Sequence, residues 1–222
     1  LSMEIKTRYE EWPYRIIDSI YIGGGTPSIM SASDIKKIMN TVRNNFSISE
    51  VCEISIEVNP ATLTEEKLDA YLECGINRIS IGVQSFDNSI LNLLGRMHDK
   101  NDAFNAIRNA KKAGFKNINA DLIFGIPGQT SKVWRDSLRQ CIFLMPEHIS
   151  LYSLQIEENT PFYQLVHVKK TIDELPEDID RAMYHDALEI LSDEGYVHYE
   201  ISNVAKPGFA SRHNLKYWSY KE

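Results

Sequence analysis

The chain has 222 residues, 43% of them hydrophobic and 25% charged, which is ordinary globular composition and enough for one sizeable core. Its net charge of −7 comes without a lysine- or arginine-rich run, which argues against nucleic acid as a partner, because phosphates call for a basic patch. No apolar run approaches the ~18 residues of a membrane span, no signal peptide is visible, and Cys52, Cys74 and Cys141 stand apart, the usage of a reducing compartment. A cytoplasmic protein without a transmembrane segment is the expectation.

In chain order, Leu1, Ile5 and Tyr9 repeat at helical spacing from the first position, with no cap before them. The last residues, 218–222, carry no breaker, so 1–222 reads as one domain cut from a longer chain. Apolar, β-branched runs recur at 19–22, 51–58, 78–83, 117–124, 148–155 and 197–201. Helical patterns lie between them at 32–46, 65–74, 102–113, 131–144 and 179–192. Thr62 and Glu65 are spaced as a capping box, and Gly75, Gly114 and Gly195 stand where helices stop. Strand starts fall 27 to 49 residues apart, the βα period of a parallel sheet. The runs read as nearly continuous apolar strands, as expected for strands covered on both faces. The expected fold class is α/β with six strands.

The unusual motifs follow the strands. Gly23-Gly24-Gly25-Thr26-Pro27 comes after the first, and Glu57-Val58-Asn59-Pro60 ends the second. Gly82-Val83-Gln84-Ser85-Phe86 ends the third, Asp121 lies in the fourth, and Gly125-Ile126-Pro127-Gly128-Gln129-Thr130 follows it. Tyr152 to Glu158 ends the fifth. In a parallel βα fold the strand C-termini share one face, where ligands bind. The glycine motifs match neither G-x-G-x-x-G nor a P-loop, so phosphate is weakly supported. Glu57, Gln84, Asp121 and Arg96 suit a zwitterionic, hydroxyl-bearing ligand: acids take hydroxyls or an ammonium, and a guanidinium takes a carboxylate.

The ordered set YIGGGTPS, IEVNP, RISIGVQSF, LGRMH, DLIFGIPGQT and HNLKYW resembles the radical S-adenosylmethionine superfamily. More narrowly, it resembles the oxygen-independent coproporphyrinogen III oxidase family, over essentially the whole chain. The resemblance implies a partial TIM-type (β/α)6 barrel. It implies that Gly24, Gly25 and Thr26 line an S-adenosylmethionine site. Glu57, Gln84, Arg96 and Asp121 then contact bound adenosylmethionine, and Gly125 to Gln129 border its adenine. The superfamily's C-x-x-x-C-x-x-C loop, which holds a [4Fe–4S] cluster, is absent, and the three cysteines lie 22 and 67 residues apart. The sequence as it stands is therefore expected to hold no cluster and to be inactive in radical chemistry. HNLKYW, from His213 to Trp218, matches the HNxxYW motif of the branch that resembles haem chaperones, which implies a tetrapyrrole partner and makes His213 a candidate axial haem ligand.

Each site residue also has a plain structural reading. Glu57 and Asp121 can cap a following helix. Arg96 can be a surface arginine, Gln84 can serve backbone groups at a strand end, and His213 can be simply packed. His98 and His148 show no ligand spacing and read as structural, as does Tyr152.

Overall fold

The strands are built on alternation. In Ser55-Ile56-Glu57-Val58 and Arg78-Ile79-Ser80-Ile81, every second side chain is apolar. Successive side chains point to opposite faces of a sheet, so such a strand has one dry face and one polar face. The computed structural model describes residues 1–11 and 15–220 and bears this out. Strands β1 (Ile16–Ile22), β2 (Ser47–Val58), β3 (Arg78–Gln84), β4 (Ile118–Phe124) and β5 (His148–Ser153) run parallel in that order. Register aligns Ile22, Ile56, Ile79 and Ile118 in one row, and Val58, Ile81, Ala120 and Ile149 in another. These rows join the apolar core. The opposite face carries Glu57, Ser80, Asn119 and His148 in one row and Tyr21, Ser55 and Arg78 in another. The expectation of continuously apolar strands is thus corrected: one face packs on helices, and the other forms a polar interior.

Helix α1 (Ser2–Glu11) precedes β1, and α2 (Ala32–Asn45), α3 (Glu65–Glu73), α4 (Asn88–Leu93), α5 (Lys100–Ala113), α6 (Ser131–Phe143), α7 (Pro161–Tyr163), α8 (Glu177–Asp193) and α9 (Arg212–Trp218) follow the strands. Ile35 and Met39 of α2, Leu68 of α3, Ile107 of α5, Leu138 of α6 and Leu191 of α8 are buried against the apolar face. Side chains cap the starts of α2 to α6 and α9, though not always as expected. The cap of α3 is Thr64, which accepts from the Lys67 N–H at 3.3 Å. Thr62 does not form the anticipated capping box with Glu65; its hydroxyl pairs with Ser28 Oγ at 2.6 Å and braces the site loops.

The sheet is the curled, partial barrel expected, with a different closing edge. The sixth run forms β6 (Val197–Glu200), which does not pair with β5. A three-residue strand, β7 (Asn203–Ala205), inserts between them, antiparallel to both, so the sheet has seven strands among the described residues. The chain reverses just after Glu200, whose carboxylate accepts the Ser202 N–H at 3.3 Å. A strand this short has no periodic signature in the sequence. Among the described residues, no helix is long and apolar enough to cross a membrane.

Candidate functional site

The loops after β1 and β2 are tied together. Asn59 N–H donates to Ser28 Oγ at 2.9 Å, and Lys67 Nζ donates to both the Ser28 and the Thr62 carbonyls, the latter at 3.0 Å. The three glycines do different work. Gly24 and Gly25 adopt φ of +83° and +66°, a region that favours glycine. Gly23 is a matter of space: a Cβ there would lie 2.7 Å from Tyr21 Cε1 and 3.0 Å from Glu57 Cδ. Glu57 accepts from the Tyr21 hydroxyl at 2.9 Å and the Gly24 N–H at 3.0 Å. It therefore caps no helix; it holds the glycine loop.

Above the strand ends lies a polar cavity of about 120 Å3, lined by Gly25, Thr26, Glu57, Gln84, Arg96 and Asp121, with Ser80, Gly82 and Asn59 between them. Gly24 adjoins it through Glu57. Two of the anticipated residues lie elsewhere. Gly125 (φ +72°) lines a separate cavity of about 280 Å3 with Pro127, Ser153 and Asp180. His213 sits below, against β1.

Gln84 and Arg96 reach the cavity through irregular backbone. The β3–β4 register slips between Ile81 and Gln84, and Gln84 itself adopts φ +65°. A bulge at a strand end re-aims the next side chain, and left-handed backbone in a non-glycine residue costs on the order of 1 kcal/mol or more. Arg96 follows Gly95 (φ +66°), and its loop is pinned by His98, whose Nε2–H donates to the Val83 carbonyl at 3.0 Å. The Arg96 Nε is buried, and no hydrogen bond or ion pair engages its guanidinium among the described residues. Burial lowers its pKa. A guanidinium so placed is suited to an anion such as a carboxylate.

Asp121 forms the floor. It accepts from Ser80 Oγ at 2.9 Å and Asn119 Nδ2 at 2.7 Å. Burial raises its pKa, and hydrogen bonds from the flanking serines and Asn119 work against that rise. The network continues away from the cavity. Asn119 Oδ1 accepts from His148 Nδ1 at 2.6 Å, and His148 Nε2 then takes the Tyr199 hydroxyl at 2.7 Å. Tyr199 in turn accepts the Ser211 N–H at 3.2 Å. Because the Asn119 amide nitrogen is spent on Asp121 and Ser80 (2.7 Å), its oxygen faces His148, which fixes the neutral Nδ1–H tautomer.

Helix α9 carries the HNLKYW motif. Buried Glu53 accepts at its start from Ser211 Oγ (3.2 Å), Arg212 N–H (3.0 Å) and His213 N–H (3.1 Å). His213 Nδ1 pairs with Ser19 Oγ at 3.1 Å, and its ring stacks on Tyr21 with centroids 5.1 Å apart and planes at 25°. No described residue engages Nε2. Burial lowers the pKa of the imidazole, which favours the neutral form. Lys216 pairs with Asp18, while Tyr217 and Trp218 are exposed. His213, Lys216, Tyr217 and the start of β1 line a cavity of about 340 Å3.

The radical SAM superfamily model matches residues 4–141. The chain belongs to the radical SAM superfamily. Within this superfamily it resembles the oxygen-independent coproporphyrinogen III oxidase-like family, haem chaperones in particular. It is 40% identical over 207 residues to the haem chaperone HemW of Bacillus subtilis, covering 93% of this chain and 54% of that one. It is 36% identical over 215 residues to HemW of Lactococcus lactis, covering 96% and 56%. The solved coproporphyrinogen III oxidase HemN of Escherichia coli superposes with a TM-score of 0.81 at 26% identity, over 98% of this chain and 49% of the other. The chain thus spans about half the length of the relatives it matches.

Radical SAM proteins use S-adenosylmethionine and a [4Fe–4S] cluster. The residues present fit the first: an unpartnered guanidinium, two carboxylates and a bare glycine backbone meet in one cavity. They do not fit the second. Among the described residues no three His, Cys, Asp or Glu side chains are placed to hold a metal ion, and Cys52, Cys74 and Cys141 are free and buried.

Sequence reasoning missed Tyr21, Ser80, Glu53 and Tyr199. Tyr21, Ser80 and Glu53 lie on the polar face, and reading Glu53-Ile54-Ser55-Ile56-Glu57 as alternation exposes that face. Tyr199 gave no local signal; only the return of β6 and β7 brings it to His148.

Proposed function

We propose that this chain is the adenosylmethionine-binding core of a haem-binding and haem-delivering protein. One observation carries the reading: His213 of HNLKYW is oriented through Nδ1, has no described partner at Nε2, and lines a cavity of about 340 Å3 beside the start of β1. A neutral imidazole held through one nitrogen is a ready ligand through the other. Haem is the cargo, and the HemW relatives bear the name haem chaperone.

In the cavity, Arg96 takes the carboxylate of adenosylmethionine, and Glu57 and Asp121 take its ammonium and hydroxyl donors. Gly24, Gly25 and Thr26 let its polar end approach the backbone, and Gln84 closes the side. Gly125, in its own cavity, borders the adenine. Adenosylmethionine would supply radical chemistry on one-electron reduction by a [4Fe–4S] cluster that these residues do not hold; the residues here would bind and orient it. The three buried, free cysteines support a cytoplasmic setting.

The likeness to HemN over 98% of this chain favours a second reading, a true oxidase that converts two propionates of coproporphyrinogen III to vinyls. One experiment separates the two. Full-length protein is reconstituted anaerobically and given adenosylmethionine, reductant and coproporphyrinogen III. The carrier reading predicts no divinyl product by chromatography, together with haem binding that His213→Ala weakens. Product over many turnovers overturns it in favour of the oxidase.

A further inference from the structure

Tyr21 belongs to both sites at once. Its hydroxyl donates to Glu57 Oε1 at 2.9 Å in the cavity, and its ring stacks on the His213 imidazole at 5.1 Å. It has little freedom between them. On the Gly23 side even a methyl group would approach the ring to 2.7 Å. The His213 ring is in turn tied to Ser19 through Nδ1 and edged by Tyr217 at 5.3 Å. The Glu57 carboxylate already holds both the Tyr21 hydroxyl and the Gly24 N–H. Each Glu57 oxygen accepts one of these bonds and keeps acceptor capacity, so a ligand ammonium or hydroxyl that draws on Glu57 shares its oxygens with Tyr21 and Gly24 and pulls the carboxylate away from Tyr21.

We propose that Tyr21 couples the two sites: a ligand that engages Glu57 loosens the Tyr21–Glu57 bond, frees the His213 ring and lowers its affinity for haem. The inference rests on the reading of the two sites given above, and it adds a release device to it. Burial and the neighbouring Glu57 charge raise the Tyr21 pKa, so the hydroxyl stays a donor and the link is a switchable bond, not a titration. Coupling of this kind is reciprocal, so haem loosens adenosylmethionine by the same factor.

The test is a haem titration of full-length protein followed by absorbance, with and without saturating adenosylmethionine and without reductant. Wild type is expected to bind haem roughly fivefold or more weakly when adenosylmethionine is present. In Tyr21→Phe, which keeps the stacked ring and loses only the hydroxyl, that ratio falls to about one while each ligand alone still binds. A wild-type ratio of one with both ligands bound, or an unchanged ratio in Tyr21→Phe, overturns the coupling and leaves the site assignments standing. If His213→Ala binds haem as tightly as wild type, the assignment of His213 itself fails, and the coupling fails with it.

Discussion

At the scale of single residues, the cavity holds groups that cost stability in the empty protein. Arg96 places a buried Nε where no acceptor reaches it, and Gln84 is held at a positive φ. Such features persist when a ligand needs them. Arg96→Met should therefore raise thermal stability without ligand by on the order of 1 kcal/mol, because it removes an unsatisfied buried polar group. The same change should weaken adenosylmethionine roughly tenfold to a hundredfold, the loss of charge-assisted hydrogen bonds. Differential scanning calorimetry with and without ligand reads both. A loss of stability together with unchanged affinity would place Arg96 among ordinary packing residues. Its role was legible only through the family motif: an arginine after Leu-Gly looks like any surface arginine until the loop folds back under His98.

At the scale of elements, the polar face of the sheet is wired to α9. Ser211 N–H, Tyr199, His148 and Asn119 form a directional chain that ends on Asp121. Burial, and secondarily the Arg78 charge, hold His148 well below its ordinary value of 6.5, so the fold keeps it neutral. The unfolded chain protonates near 6.5 and the fold does not, so this contribution is complete above that pH. It is lost as pH falls from there toward the folded value. Asp121 has the opposite sign: its raised pKa makes its contribution strongest in acid and lost as pH rises through the folded value. His148→Gln should flatten the fall in stability between about pH 7.5 and about pH 5.5, measured as urea midpoints, although His98 and His213 retain slopes of the same sign. An identical slope in the variant would contradict the neutral, buried His148. The strands themselves were readable from β-branched runs, but their two-faced character was overlooked because serine and glycine interrupt an apolar run without looking like a polar face.

At the scale of the whole molecule, the parallel order of β1 to β5 gathers residues from 25 to 121 at one end of the sheet. That convergence was legible from motif positions alone: six of the nine anticipated residues line one cavity. The closing edge was not, because β7 has three residues and its partners lie about 55 positions back in the chain. Nor was the placement of His213, which depends on Glu53 drawing the start of α9 across to β2. The proposed adenosylmethionine site stands or falls on Glu57 as a partner of the ligand's hydrogen-bond donors. The most direct measurement is equilibrium titration of adenosylmethionine into full-length wild-type protein and Glu57→Gln. One site is expected in the wild type, with affinity weakened roughly tenfold or more in the variant. Equal affinity in the two proteins would contradict it.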